Sequence, residues 1–284
     1  MSDAAEKKES LTLIPRLIKK DDGLTVSFKV GSKKLFVVKN LTAFCENVKN
    51  SATDTYGSST QINHNPDNFT EKGRDWIRFI SRIVREEEEF LERLAESRYY
   101  YYKTKTDVGS ELNLFGWRLD EFYGQLGTDT VEYEDRSGRE KEKDTLVAVS
   151  RNPKVTIEIA EDKQEGQQGE FHGIRVSGSL PELYEGTDTA YYIETGSLCR
   201  VEKDFLAQAE PLARLANGKQ FRFSVGRNHM SEFYYRVLPG LREIAVIKEK
   251  DTGRIHAHLL PEVRFAFYLD AEEGNAFCQI YSRY

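Results

Sequence analysis

Leu24-Thr25-Val26-Ser27-Phe28-Lys29-Val30 alternates apolar and polar residues without a break, so Leu24, Val26, Phe28 and Val30 share one face of a strand. Gly31-Ser32-Lys33-Lys34 then supplies a turn and Leu35-Phe36-Val37-Val38 runs back, the signature of a β-hairpin. Strand character begins at Leu11. Downstream, Asn40 or Thr42 is placed to cap a short helix through Val48. The Ser-, Thr-, Asn- and Asp-rich stretch 51–68 predicts a loop with a short strand around Ile62.

A helix is predicted over about 71–97. Trp76, Ile80, Ile83, Leu91 and Leu94 recur at helical spacing, and Ile77, Val84 and Phe90 widen the stripe. Glu86 to Glu89 point in different directions on such a helix and do not converge on one site. Glu87 alone falls on the apolar face, which predicts a buried partner for it. Leu112, Leu114, Phe115 and Trp117 form a second apolar segment, and Asp120 to Gly127 reads as a short helix closed by glycine. Strands are expected at Val155–Ile159, Ile174–Val176, Ala190–Ile193, Phe221–Val225, His256–His258, Val263–Tyr268 and Ala276–Tyr281. Helices are expected over Lys203–Ala216 and from Ser231 to Val237, the latter ended by Pro239. Strands cluster without regular helical crossovers, so the fold class is α+β, mostly antiparallel sheet with one long amphipathic helix and several shorter ones.

Glu132 to Asp144 is almost wholly charged around Gly138 and reads as a solvated hairpin tip or as a seam. It divides the chain into a disordered tail over 1–10, an N-terminal α+β subdomain over 11–131 and a C-terminal one over 145–284. Phe277 to Tyr284 stays strand-like to its last residue, which reads as the edge of a longer protein.

Hydrophobic residues make up 39% of the 284 and charged ones 31%, a globular composition rather than a disordered one. No stretch approaches the roughly 20 apolar residues of a membrane span, and the polar N-terminus lacks the core of a signal peptide. Cys45, Cys199 and Cys278 are odd in number and far apart, so they read as reduced thiols of a cytoplasmic protein. Asn40-Leu41-Thr42 and Asn68-Phe69-Thr70 match a glycosylation triplet that has no secretory context. The formal net charge of −6 argues against tight, autonomous binding to DNA.

The chemistry-bearing motifs are incomplete. There is no Gly-x-x-x-x-Gly-Lys-Ser/Thr phosphate loop, and Gly166 and Gly169 lie in an acidic turn that repels phosphate. Gly57-Ser58, Gly109-Ser110 and Gly196-Ser197 are turn dipeptides, not nucleophile elbows. His256 and His258, with His229, are the nearest approach to a metal site, but no carboxylate or cysteine with ligand spacing completes the set. His64 and His172 sit in polar turns. No catalytic, cofactor or metal residue is therefore assigned. Arg98-Tyr99-Tyr100-Tyr101-Tyr102-Lys103-Thr104-Lys105 mixes base with aromatics, as single-strand binding surfaces do, and makes Arg98, Tyr100, Tyr102, Lys103 and Lys105 candidates for nucleic-acid contact. The same alternation suits a half-buried strand.

Several segments carry a resemblance. Phe28-Lys29-Val30-Gly31 with Leu35 to Leu41, Tyr56-Gly57 with Phe69, Gly116-Trp117-Arg118-Leu119-Asp120-Glu121-Phe122, Val237-Leu238-Pro239, and Pro261 with Phe267-Tyr268-Leu269-Asp270 resemble the bacterial Swi/Snf-type helicase-associated domain. Ser58 and Ser282 depart from its pattern. The resemblance runs from about Leu11 to the end and implies an accessory region upstream of a two-lobed ATPase. On that reading the chain is not itself an enzyme and needs no cofactor. Its implied partners are the ATPase motor of the same polypeptide and either DNA or the RNA polymerase machinery, with no membrane. The family brings no assigned functional residues to carry over.

Overall fold

A computed structural model describes residues 10–96, 108–138, 141–162, 170–217, 219–259, 264–272 and 275–283, and for 91–96 and 264–283 the backbone alone. The alternating stretch becomes one arm of a long hairpin. β1 (Thr12–Lys20) and β2 (Gly23–Gly31) pair antiparallel, from Thr12 opposite Gly31 to Lys20 opposite Gly23. Leu13 and Leu17 of β1 and Leu24, Val26, Phe28 and Val30 of β2 are buried on the shared face. β3 (Leu35–Val37) runs back along β2. α1 (Leu41–Lys49) starts at Asn40, whose side-chain oxygen accepts the Ala43 N–H at 2.7 Å and satisfies a donor the helix leaves orphaned. β4 (Thr53–Tyr56) and β5 (Thr60–Asn63) form a separate small hairpin.

α2 (Glu71–Glu96) begins where Thr70 Oγ1 accepts the Gly73 N–H at 3.1 Å. Trp76, Ile77, Phe79, Ile80, Ile83 and Val84 recur at three- and four-residue spacing and are all buried, so this stripe faces the sheet. The Trp76 ring lies 5.8 Å from Phe28 of β2 and 5.6 Å from Phe122. β6 (Leu112–Leu114) pairs with β2, and α3 (Trp117–Leu126) supplies Phe122. β7 (Thr130–Asp135) joins β1 in parallel, and β8 (Glu142–Ser150) returns antiparallel to β7. The charged stretch 132–144 thus runs up one strand of a hairpin and down the next.

β9 (Val155–Glu161) and β10 (Gly173–Ser179) belong elsewhere. β11 (Tyr184–Glu185), β12 (Ala190–Glu194) and β13 (Ser197–Arg200) then complete the first sheet, ordered β11-β12-β13-β8-β7-β1-β2-β3 with β6 beside β2. The chain forms two compact units: Met1–Arg151 with Leu183–Glu202, and Asn152–Glu182 with Lys203–Tyr284. The chain therefore passes from one unit to the other more than once.

The second unit contains β9, β10, α4 (Lys203–Leu215), β14 (Gln220–Gly226), α5 (Met230–Glu232), a π-helical turn (Phe233–Val237), α6 (Leu238–Ile244), β15 (Ala245–Glu249) and α7 (Thr252–His256). Its sheet is ordered β14-β10-β9-β15, and β16 (Arg264–Glu272) and β17 (Asn275–Arg283) form a hairpin. The fold is mixed α and β, and most strand pairings are antiparallel. The parallel pairs are β1 with β7, β13 with β8 and β15 with β9.

Two local expectations are corrected. His256 closes a short helix rather than a strand: the N–H groups of Arg254 and Ile255 both donate to the Asp251 carbonyl, and fully buried Ile255 anchors the turn. His258 lies in the turn after that helix, its N–H donating to the Ile255 carbonyl at 3.1 Å. Pro239 does not end the preceding helix. The Leu238 N–H donates to the Phe233 carbonyl five residues back, and this widened turn accommodates a proline that an ordinary helix interior rejects.

Candidate functional site

The segment Gly116 to Phe122 is held by contacts to α2, to the segment before β12 and to β12 itself. Leu119 and Phe122 are fully buried, which fixes the orientation of α3. The polar side chains of the segment are then aimed at three neighbours. The Arg82 guanidinium lies 3.8 Å from the Trp117 ring centre, and Arg82 also bonds Glu121 at 3.0 Å. Arg118, 8% exposed, bonds Glu87 of α2 at 2.7 Å. Glu87 is the carboxylate that periodicity placed on the apolar face, and Arg118 is the partner it meets. Arg118 Nε is buried with no acceptor of its own.

Asp120 accepts the Tyr191 hydroxyl and the Thr187 N–H, each at 2.8 Å, tying α3 to the segment before β12. Burial pushes the Asp120 carboxyl up, but these donors and the Arg200 charge outweigh it, so it stays below the usual carboxylate range. The same hydrogen bond, added to burial, pushes the Tyr191 hydroxyl up. Gly186 is glycine for a reason of space, since a Cβ there would stand 2.3 Å from Asp120 Oδ1.

The second face of the first sheet holds an ionic chain. Glu134, 4% exposed, accepts from Arg16 at 3.1 Å and from Arg136 at 2.9 Å, and Arg136 reaches Glu111, which also binds Lys20. The Arg136 hydrogen bond is the main reason the Glu134 carboxyl lies below its ordinary range. Every charge in the chain has an opposite partner, so it staples β1 to β7 and has no cation left over for a ligand.

His64 is not a surface histidine. It is fully buried beside Phe44, its Nδ1–H faces the Ala52 carbonyl at 3.2 Å, and Nε2 accepts the Tyr56 hydroxyl at 3.0 Å. Burial pushes its imidazole below the ordinary 6.5, and the Ala52 carbonyl and Asp54 offset only part of that. Burial likewise pushes the Tyr56 hydroxyl up to about 12. Below pH 6.5 the unfolded chain takes up a proton that folded His64 refuses, so stability is full above that value and falls as pH drops toward the folded value. Urea midpoints measured from pH 8 to 5 are expected to show this fall, and His64→Gln is expected to reduce it. Equal slopes for the two proteins would refute the assignment.

In the second unit the π-helical turn presents Tyr234 to Glu249. Glu249 accepts from Tyr234 at 3.3 Å, from His256 Nε2 at 3.0 Å and from Arg242 at 3.4 Å, and the Tyr234 and His256 rings meet edge to face. Burial and the Glu249 charge push the Tyr234 hydroxyl up. Of the three candidate metal histidines, His256 makes these contacts and the other two stand elsewhere. His258 stacks on Phe171 at 4.1 Å, and His229 stands 4.0 Å from Glu232. Among the described residues no three His, Cys, Asp or Glu side chains group to hold a metal. Arg98, Tyr100, Tyr102, Lys103 and Lys105 lie outside the described residues, as do Gly166, Gly169 and the tail over 1–9. No helix among the described residues is long and apolar enough to cross a membrane.

The family model described as bacterial SNF2 helicase associated matches residues 88–284. The chain belongs to this family. No curated protein and no solved structure matches it. The SNF2-associated match starts within α2 and takes in α3, β6 to β8, β11 to β13 and the whole second unit. Of the elements before it, β1 to β3 complete the sheet that β6, β7 and β8 of the SNF2-associated region join, and β4 and β5 stay in their own hairpin. Being helicase associated, the region is an accessory to a motor rather than the motor itself.

Proposed function

We propose that this chain is a non-catalytic module that regulates, or recruits partners to, a bacterial SNF2-type DNA-dependent ATPase. It works through protein or DNA contacts in the cytoplasm, with the motor carried on the same polypeptide. The family match over 88–284 carries this reading. The side chains of Gly116–Phe122 support it, because Trp117, Arg118 and Asp120 are engaged in holding helices and strands together. The two compact units fit a part that transmits contacts to a neighbour.

The test is ATP turnover. The chain alone is expected to hydrolyse no ATP above background, with or without DNA. Added to an SNF2-type motor, it is expected to change the DNA-stimulated rate about fivefold or more, in the range of typical coupling energies. Turnover by the chain itself, or a motor rate unmoved by it, would sink the proposal. A second reading, a weak nucleic-acid-binding module through Arg98, Tyr100, Tyr102, Lys103 and Lys105, rests on the interleaving of base and aromatic in that stretch.

A further inference from the structure

The sheet of the second unit has two unlike faces. Val155, Ile157 and Ile159 of β9, Ile174 and Val176 of β10 and Phe221 of β14 are buried on one, where α4 meets β14, α6 meets β15 and α7 meets β9. The alternate residues make the other face, in rows that the register fixes. Thr156 stands opposite Ser179, and Ser179 opposite Gln220. In the next row Glu158 stands opposite both Ser177 and Lys248, and Ser177 opposite Arg222; beyond it Arg175 faces Ala160 and Ser224. Thr156, Ser179, Gln220, Arg222, Ser224 and Lys248 are exposed. Small hydroxyl side chains along the middle leave a shallow concavity of about 600 Å³ bordered by Thr156, Glu158, Ser177, Ser179, Leu215 and Arg222.

Arg175, Arg222 and Lys248 stand on this face with no ion-pair partner among the described residues. Glu158 is its one acid within the strands, and Lys250 already holds it at 2.7 Å. Lys154 just before β9 and Asp162 just after it offset each other. The face therefore carries an unbalanced positive charge on a protein that is acidic as a whole.

We propose that this face binds the sugar–phosphate backbone of duplex DNA. Arginine, lysine, serine, threonine and glutamine are the side chains that contact phosphate and sugar without reading sequence. Arg175 and Arg222 are diagonal neighbours on adjacent strands, roughly 7–8 Å apart, and Lys248 lies three strand spacings from Arg222, about 14 Å away. The cations thus address a run of phosphates, not a single one. No residue on this face is aromatic, so it offers no platform for the unstacked bases of a single strand, and a duplex keeps its bases to itself. The inference rests on the accessory reading for the presence of DNA, and names a contact surface which that reading leaves open.

A titration of the whole chain against a labelled duplex of roughly 20 base pairs, followed by fluorescence anisotropy, tests it. Three neutralised phosphates predict log affinity falling against log salt with a slope of about −3. Arg222→Gln is expected to flatten that slope by about one. Arg175→Gln/Arg222→Gln/Lys248→Gln together are expected to weaken low-salt binding about tenfold or more, with the circular dichroism and thermal midpoint of the parent chain. No binding at low salt, or a triple variant that binds like the parent, overturns the proposal. So does a single strand or a polyglutamate peptide that competes as well as the duplex at equal charge. Loss of binding on Lys103→Ala with none in the triple variant moves the contact to the 98–105 stretch and also overturns it. A chain that fails to bind DNA yet still alters the motor rate sinks this inference alone. One that binds DNA through this face yet leaves the motor unmoved sinks the accessory reading instead.

Discussion

Trp76→Ala is expected to cost the first unit about 4 kcal/mol, a large part of the 5–15 kcal/mol that holds a typical domain folded. Trp76 is 1% exposed and joins three elements at once: Phe28 of β2 at 5.8 Å, Phe79 of α2 at 5.8 Å and Phe122 of α3 at 5.6 Å. Truncation removes the largest side chain from the junction of helix and sheet. The site cannot collapse to fill the gap, because β2 is held by β1 on one side and β3 and β6 on the other. Trp76 also borders an existing surface cavity of about 320 Å³ between β1 and the start of α2, so the new void opens onto one already there. Trp117 remains as the fluorescent reporter, and urea unfolding followed through it measures the loss. Trp76→Phe keeps most of the contact and is expected to cost less than half as much. A loss below about 1 kcal/mol for the alanine variant would mean that Trp76 is not the keystone of this core.

Periodicity found this junction because it is a property of single elements. Leu24 to Val30 alternate, Trp76 to Val84 recur at helical spacing, and each pattern states which side of its own element is apolar, although in β2 the polar Thr25 and Ser27 are buried too. Glu87 was legible for the same reason: a carboxylate in an apolar stripe needs a partner, although nothing local says that the partner is Arg118 from α3. Asn40 was legible as a cap because capping is resolved within three residues. What failed depended on turns and burial that side-chain alternation does not state. His256 and His258 alternate as strand residues do, yet the Asp251 carbonyl closes a helical turn over buried Ile255 that ends at His256. His64 has polar neighbours in sequence, yet Phe44 and Tyr56 enclose it from other elements.

The open face of the second sheet was half legible. Thr156 with Glu158, Arg175 with Ser177 and Ser179, and Gln220 with Arg222 and Ser224 each show a polar period of two. That period says that each strand has a wet face. It does not say that the three wet faces are the same face, nor that β15 adds Lys248 to them from another part of the chain. The register supplies this, bringing residues 158, 177, 222 and 248 into one row. A surface of this kind is built by topology, whereas the Arg98–Lys105 candidate was attractive because it was contiguous.

Gly173→Ala is expected to lose about 3 kcal/mol from the second unit, while Gly226→Ala, directly opposite it in the ladder, is expected to change stability by no more than about 0.5 kcal/mol. The two glycines share a rung but not a reason. Gly173 has φ +148, and a Cβ on it would stand 2.2 Å from the Val225 carbonyl oxygen and 3.0 Å from the Gly226 Cα. Both obstacles are backbone, so neither can swing aside as a side chain would. Relief requires β10 to move off β14, which disturbs the Arg227 N–H bond to His172 and the Asp162 N–H bond to Gly173. The strained backbone and the overlap each contribute in the range of 1–3 kcal/mol. Gly226 has φ −64 and nothing within 4 Å of where its Cβ would be, so alanine fits there. Urea unfolding of both variants, followed by circular dichroism, gives the comparison, and equal costs at the two positions would refute this account of the rung. Because Gly173 opens the strand that carries Arg175 and Ser177, its alanine variant is also expected to weaken duplex binding where Gly226→Ala does not. The same comparison thereby links the geometry of one rung to the charge row that β10 shares with β14.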